Sequence, residues 1–159
     1  MLPTMKLLQI DAPGQAVWRD VPRPEPGPGE VLVQVSGVTT CPQWDLHIFG
    51  GEPMFADRPL AYPYVPGEPG HEFAGDVADV GRLVTDVRVG DRVTAEGHIV
   101  DGRCLLCRTG NAHVCPFTRI IGVDRDGCFA EYIAMPAVNV WHLDANVGGV
   151  PPCGEALPA

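Results

Sequence analysis

Asp101-Gly102-Arg103-Cys104-Leu105-Leu106-Cys107-Arg108-Thr109-Gly110-Asn111-Ala112-His113-Val114-Cys115 sets three thiols and one carboxylate at a fixed beat, D-x2-C-x2-C-x7-C. Three cysteines within twelve residues suit a tetrahedral zinc site, because Cys-x2-Cys lets two thiolates of one tight turn reach the same ion. The fourth corner stays open at this point. Asp101 stands where a further cysteine would complete an even pattern, and a carboxylate oxygen can ligate zinc. His113, inside the loop, is the competing donor. The alternative for the whole stretch is three free thiols on a loop.

Outward from that loop, the chain reads as mainly β. Its 159 residues suffice for one domain with a core, and 19 glycines and 17 prolines break it into short apolar runs joined by turns. Strands are expected over Met5–Ile10 and Ala16–Val21, turned at Ala12-Pro13-Gly14, and over Glu30–Val35, a half-buried alternation. Further strands are expected over Glu72–Val80, Asp91–Glu96, Cys128–Ala134 and Val138–Leu143. The run Pro22-Arg23-Pro24-Glu25-Pro26-Gly27-Pro28-Gly29 is a stiff connector. Residues 50–70 read as loop, and no long amphipathic helix and no internal repeat is found.

Composition excludes several classes. With 20 acidic against 11 basic residues the formal net charge is -9, which argues against a nucleic-acid or anionic-membrane partner. No apolar run approaches the roughly 20 residues of a membrane span. Met1-Leu2-Pro3-Thr4-Met5-Lys6 does not read as a signal peptide. Six cysteines in such a chain fit metal ligation in a reducing compartment, the cytoplasm, better than disulfides.

A second metal-capable set lies upstream: Cys41, followed by Asp45 and His47, and then Gly70-His71-Glu72 at the entry to a strand. Cys, His and Glu are all zinc ligands, and three protein ligands with an open position is a catalytic design. Read singly, Cys41 is equally a core thiol and Gly-His-Glu a turn.

Taken in order, Glu30-Val31-Leu32-Val33, Cys41 with Asp45 and His47, Pro66-Gly67, Gly70-His71-Glu72, Val89-Gly90-Asp91-Arg92-Val93, the loop from Asp101 to Cys115 and Gly127-Cys128-Phe129-Ala130-Glu131-Tyr132 resemble one family. It is the N-terminal, GroES-like catalytic domain of the zinc-dependent medium-chain alcohol dehydrogenases, nearest the threonine, sorbitol and glucose dehydrogenase branch. The resemblance implies a GroES-like barrel of short strands with a zinc-loop excursion near 97–118. It implies that Cys41 and His71 hold a catalytic zinc, that Glu72 is its neighbour and alternative ligand, and that Asp45 orients the His71 ring. It implies NAD(P)-linked oxidation of an alcohol, polyol or sugar hydroxyl on a small-molecule substrate, with the zinc polarising the substrate oxygen. A homo-oligomer, or a separate nucleotide-binding half, is the partner it implies.

Three departures from the pattern stand out. Cys41-Pro42-Gln43-Trp44-Asp45-Leu46-His47 has one residue more than the family's Cys-Gly-Thr/Ser-Asp-x-His and lacks its relay Thr/Ser. His47 then starts the proton relay or Gln43 holds a water, while Trp44 is a substrate-pocket wall or a core aromatic. Asp101 replaces the first cysteine of the loop. No Gly-x-Gly-x-x-Gly occurs, so the Rossmann domain, and with it the NAD(P) site, is expected to be absent from this chain. The expected organisation is a catalytic domain over 1–144 and a poorly ordered tail over 145–159, truncated before the nucleotide-binding domain. The chain would then be a truncated product, a fragment or one part of a split enzyme. A non-catalytic zinc-binding relic is the alternative. Cys153 and Glu155 are loose candidates for a third catalytic ligand. His98 is a candidate lining residue, His142 a strand residue and Cys128 a core thiol.

Overall fold

The chain was analysed as a computed structural model, which describes residues 3–56, 59–65 and 67–144. Pro66, Cys153, Glu155 and the expected tail lie outside the described residues.

The N-terminal alternation folds as a hairpin, β1 (Thr4–Ala12) and β2 (Gln15–Pro22), turned at Pro13-Gly14. Next comes β3 (Glu30–Thr39), then a short helix α1 (Asp45–Gly50) and β4 (Glu72–Val80). β5 (Arg92–Ala95), β6 (His98–Ile99), the helical turn α2 (Leu105–Arg108) and β7 (Arg119–Ile120) follow. β8 (Tyr132–Pro136) and β9 (Val140–His142) end the described part. Five strands form one antiparallel sheet in the order β8-β3-β4-β5-β9, with β1-β2 and β6-β7 as separate two-stranded ribbons. The hairpin is tied back to the rest where Leu8 N–H donates to the Phe129 carbonyl at 2.8 Å and Glu131 N–H to the Lys6 carbonyl at 3.0 Å. The sheet curls into the half-barrel expected of a GroES-like domain.

Inside lies an aliphatic core of Val31, Val33, Phe73, Val77, Val93, Ile121, Cys128, Ile133 and Met135. β3 is not half-buried as its alternation predicts. Leu32, on the opposite face, is also buried, and it lines a crevice with Pro24, Pro26 and Pro28 of the stiff connector. A smaller core of Ile10, Ile48 and Tyr64, with Trp44 packed on it, fastens α1 to β1.

Two strand expectations shift. The run from Cys128 starts not as a strand but as a crossing: the N–H groups of Gly127, Cys128 and Phe129 donate to the carbonyls of Glu68, Gly70 and Pro69 at 3.0, 3.0 and 3.1 Å. Regular pairing begins only at Tyr132. The last expected strand opens with a 3-10 turn, Ala137–Asn139. At the crossing the backbones touch, and a Cβ on Gly122 (φ 70) would lie 2.5 Å from the Gly70 oxygen, so side chains are excluded there.

The crossing also seals in Glu68, which is 4 % exposed. Burial first, and then the nearby Asp126 carboxylate, push its proton affinity up to about 8. The unfolded chain would release this proton near the ordinary carboxylate range. The native state therefore binds more protons between that range and pH 8, and stability falls as pH rises through the window. Glu68→Gln should flatten this part of the urea-unfolding stability profile and raise stability at pH 8. An unchanged slope would show that Glu68 does not carry it.

Candidate metal centre

Local geometry at the cysteine loop begins with Asp101. Its Oδ1 accepts the N–H groups of Arg103 at 3.0 Å and Cys104 at 3.1 Å, closing the turn at Gly102. Those two amides hold the Asp101 carboxyl well below the usual range. Cys104 caps α2: its Sγ accepts the Cys107 N–H at 3.4 Å. A 3-10 turn, Ala112–Val114, then delivers Cys115 back to the start of the loop.

The four donors converge. Cys104 Sγ lies 3.8 Å from Cys115 Sγ, and Asp101 Oδ1 lies 3.2 Å from Cys107 Sγ and 3.5 Å from Cys115 Sγ. With Zn–S of about 2.3 Å and Zn–O of about 2.0–2.2 Å, a tetrahedron has S–S edges of about 3.8 Å and S–O edges of about 3.5 Å. These residues fit zinc as they stand. All four ligand atoms lie within 4.8 Å of one another, and among the described residues no other group of three or more His, Cys, Asp or Glu does so. His113 is exposed and outside the group, whereas Asp101 is within it. The Cys107 thiol is pushed up by burial and by the Asp101 carboxylate that accepts its proton, so a metal binding there must displace a proton.

Upstream, the fold does bring the expected elements together. Cys41 follows the end of β3 and His71 precedes β4, and the antiparallel register pairs Thr39 with Glu72. Thr39 Oγ1 donates to Glu72 Oε2 at 2.6 Å. His71 Nε2 stands 4.0 Å from Glu72 Oε1, but Cys41 does not complete a group within 4.8 Å with them. Asp45, 8 % exposed, accepts the Cys41 N–H through Oδ2 at 2.7 Å. Its carboxyl is pushed up by burial, while the Cys41 amide and the charge of His71 pull it down. Asp45 Oδ1 and His71 Nδ1 are buried without hydrogen-bond partners.

The remaining sequence candidates fall elsewhere. His47, on α1, sets Nδ1 3.6 Å from Glu52 Oε2. Trp44 packs on the small core, 5.4 Å from the Phe55 ring, and its indole N–H reaches the Gly122 carbonyl at 3.5 Å. It also walls a small cavity with Met54, Leu60 and Val65, and its packing on the small core agrees with the core reading. His98 is exposed and bonded to Glu96 at 2.6 Å, and His142 is an exposed strand residue. Cys128 is fully buried. Glu68 escaped the sequence reading; its one signal was its place between Gly67 and Pro69-Gly70.

If Asp101 closes the tetrahedron, Asp101→Asn should speed zinc release to a chelator by about tenfold, and Asp101→Cys should slow it. A colorimetric chelator assay reads both, and equal rates in all three proteins would remove Asp101 from the site.

Comparison with known proteins agrees with this geometry. The alcohol dehydrogenase GroES-like domain family matches residues 27–145. L-threonine 3-dehydrogenase of Streptomyces avermitilis is 46% identical, over 96% of this chain and 45% of the relative. The chain thus spans less than half the length of that curated relative. Among solved structures, a short chain alcohol dehydrogenase from Escherichia coli CFT073 in complex with NADH superposes with a TM-score of 0.78 at 34% identity, covering 91% of this chain and 40% of that one. A cobalt- and zinc-bound thermostable alcohol dehydrogenase from Pyrobaculum aerophilum gives a TM-score of 0.76 at 32% identity, over 90% of this chain and 42% of its own. On the strength of the barrel, the cysteine loop and these matches, the chain belongs to the zinc-dependent medium-chain alcohol dehydrogenase family, of which it represents the GroES-like domain.

Proposed function

We propose that this domain, over residues 1–144, is the substrate-activating part of a zinc-dependent oxidoreductase that oxidises a secondary alcohol on a small molecule with NAD(P). The nicotinamide cofactor would be held by a nucleotide-binding half outside this sequence. The observation that carries the reading is the pairing of Thr39 with Glu72, which sets the Cys41 and His71 ends of two neighbouring strands beside each other. L-threonine, named in the Streptomyces relative, is the first substrate to test. The reducing cytoplasm suits the five free thiols among the described residues.

Cys41 and His71, with Glu72 beside them, would hold the catalytic zinc. That ion supplies Lewis acidity, which lowers the pKa of a bound alcohol. The chain's own residues do the rest. Asp45, which feels the charge of His71, would fix the orientation of its ring, with the orphaned Nδ1 and Oδ1 as the atoms available for that contact. Thr39 holds one oxygen of Glu72, leaving the other toward His71. His47 replaces the family's missing hydroxyl as the group that passes the alcohol proton outward, with Glu52 as its neighbour.

The two metal sites differ in preparation, and that difference tests the assignment. The loop donors stand at tetrahedral separations already, whereas Cys41 must be drawn in by the ion. Unprepared ligands bind more weakly. A chelator should therefore strip zinc in two phases, the first without loss of far-ultraviolet ellipticity and the second with unfolding. Cys41→Ser should delete the first phase only. One phase, unchanged by Cys41→Ser, would make Cys41 a structural thiol and end the catalytic reading.

A further inference from the structure

The cysteine loop has little core of its own. α2 and the 3-10 turn Ala112–Val114 bury no residue, and Leu105, Val114 and Phe117 stand 76, 54 and 62 % exposed. Ordering such a segment costs conformational entropy that little apolar burial offsets. A cross-link between its ends is what holds it. Zinc is one such cross-link, and the sulfurs themselves offer a second.

The thiols are not equivalent. The Cys104 thiol donates to Cys115 Sγ at 3.8 Å. To reach the roughly 2.05 Å of a disulfide, each of these sulfurs moves by less than about 1 Å. Cys107 is turned to Asp101 instead, and its 3.2 Å contact with Oδ1 is shorter than the 3.5 Å contact from Cys115. Cys104 is half-buried and Cys115 is 6 % exposed, so a dissolved oxidant meets Cys104 first. Asp101 cannot be oxidised, which gives the loop an odd number of thiols. One disulfide consumes two of them. It leaves Cys107 and Asp101, two donors where a structural zinc takes four.

We infer that Cys104 and Cys115 form an oxidative modification site, at which a hydroperoxide exchanges the zinc cross-link for a disulfide. The Cys104 thiolate attacks a peroxide oxygen. An S–O bond forms, the O–O bond breaks, and the departing alkoxide or hydroxide takes up a proton. Cys104 is then a sulfenic acid. The Cys115 thiolate attacks that sulfur, the S–S bond forms, and hydroxide leaves and is protonated to water. Two electrons pass from the sulfurs to the peroxide, and zinc departs as the unchanged divalent ion. The new bond joins residues eleven apart and ties the two ends of the loop, whereas a Cys104–Cys107 bond closes one turn and constrains the chain less. A thiol reductant reverses the exchange. The inference rests on the loop geometry alone and does not depend on the catalytic reading.

The test uses the full chain carrying Cys41→Ser and one equivalent of zinc, so that only the loop ion is counted. Hydrogen peroxide is the oxidant. A chromogenic chelator reads the zinc set free, and peptide mass mapping without reduction reads the bond. Expected are about one zinc ion released per disulfide, Cys104 linked to Cys115, and reversal of both by dithiothreitol with added zinc. Cys107→Ser should form the same link, and Cys104→Ser and Cys115→Ser should form none in the loop. The oxidised, zinc-free protein should keep its far-ultraviolet ellipticity in excess chelator, which the reduced protein loses. A Cys104–Cys107 link, sulfinic or sulfonic acid in place of a disulfide, or a disulfide formed with the zinc retained would overturn the inference. Failure of the catalytic reading would leave every one of these results unchanged, since Cys41 is already replaced.

Discussion

The close crossing of two backbone segments at Glu68-Pro69-Gly70 and Gly127-Cys128-Phe129 is the constraint on which the rest of the molecule depends. Three successive carbonyls on one segment take three successive N–H groups from the other, and the glycines at 70, 122 and 127 leave no room for a side chain between them. One face of the crossing delivers His71 to the head of β4. The same crossing carries Glu68 into the interior beside Asp126. A single packing requirement thus fixes both the position of His71 and the buried carboxyl, at the cost of three positions closed to any larger residue.

The two metal-capable groups answer to different physics. At the loop, local turns do the work: an aspartate-capped turn, a cysteine-capped helical turn and a 3-10 turn bring four donors together within one short stretch of chain. Upstream, the donors come from strands joined by a loop of about thirty residues, and tertiary register alone places them. Local closure produces a site shaped before the ion arrives. Register brings Cys41 and His71 into the same neighbourhood and would leave the last adjustment to a metal.

The same contrast explains what the sequence disclosed. The D-x2-C-x2-C-x7-C loop was legible because its ligands sit at fixed short spacings, and β4 was legible to the residue because Glu72–Val80 alternates between core and surface. Helix α1 was not, since six residues give too little period and its N-cap Trp44 makes no side-chain cap bond. The false start of a strand at Cys128 has a clear cause: apolar residues there are buried by the crossing rather than by a ladder. Leu32 misled in the other direction, because alternation cannot announce that a proline-rich connector will cover the outer face. Glu68 carries no local signal beyond its place between Gly67 and Pro69-Gly70, as its burial is decided by a segment some sixty residues away. Roles for Cys41, His71 and Asp45 were suggested by the family resemblance rather than by spacing, and the structure adds their neighbourhood and the two orphaned atoms.

At the loop, three thiolates and one carboxylate oxygen are proposed to form a prepared zinc site. X-ray absorption at the zinc edge tests it most directly, on Cys41→Ser protein loaded with one equivalent of zinc, so that only the loop ion contributes. The account predicts three sulfur scatterers at about 2.3 Å and one oxygen at about 2.0–2.2 Å. A first shell dominated by nitrogen and oxygen, or one with two sulfurs or fewer, would contradict it.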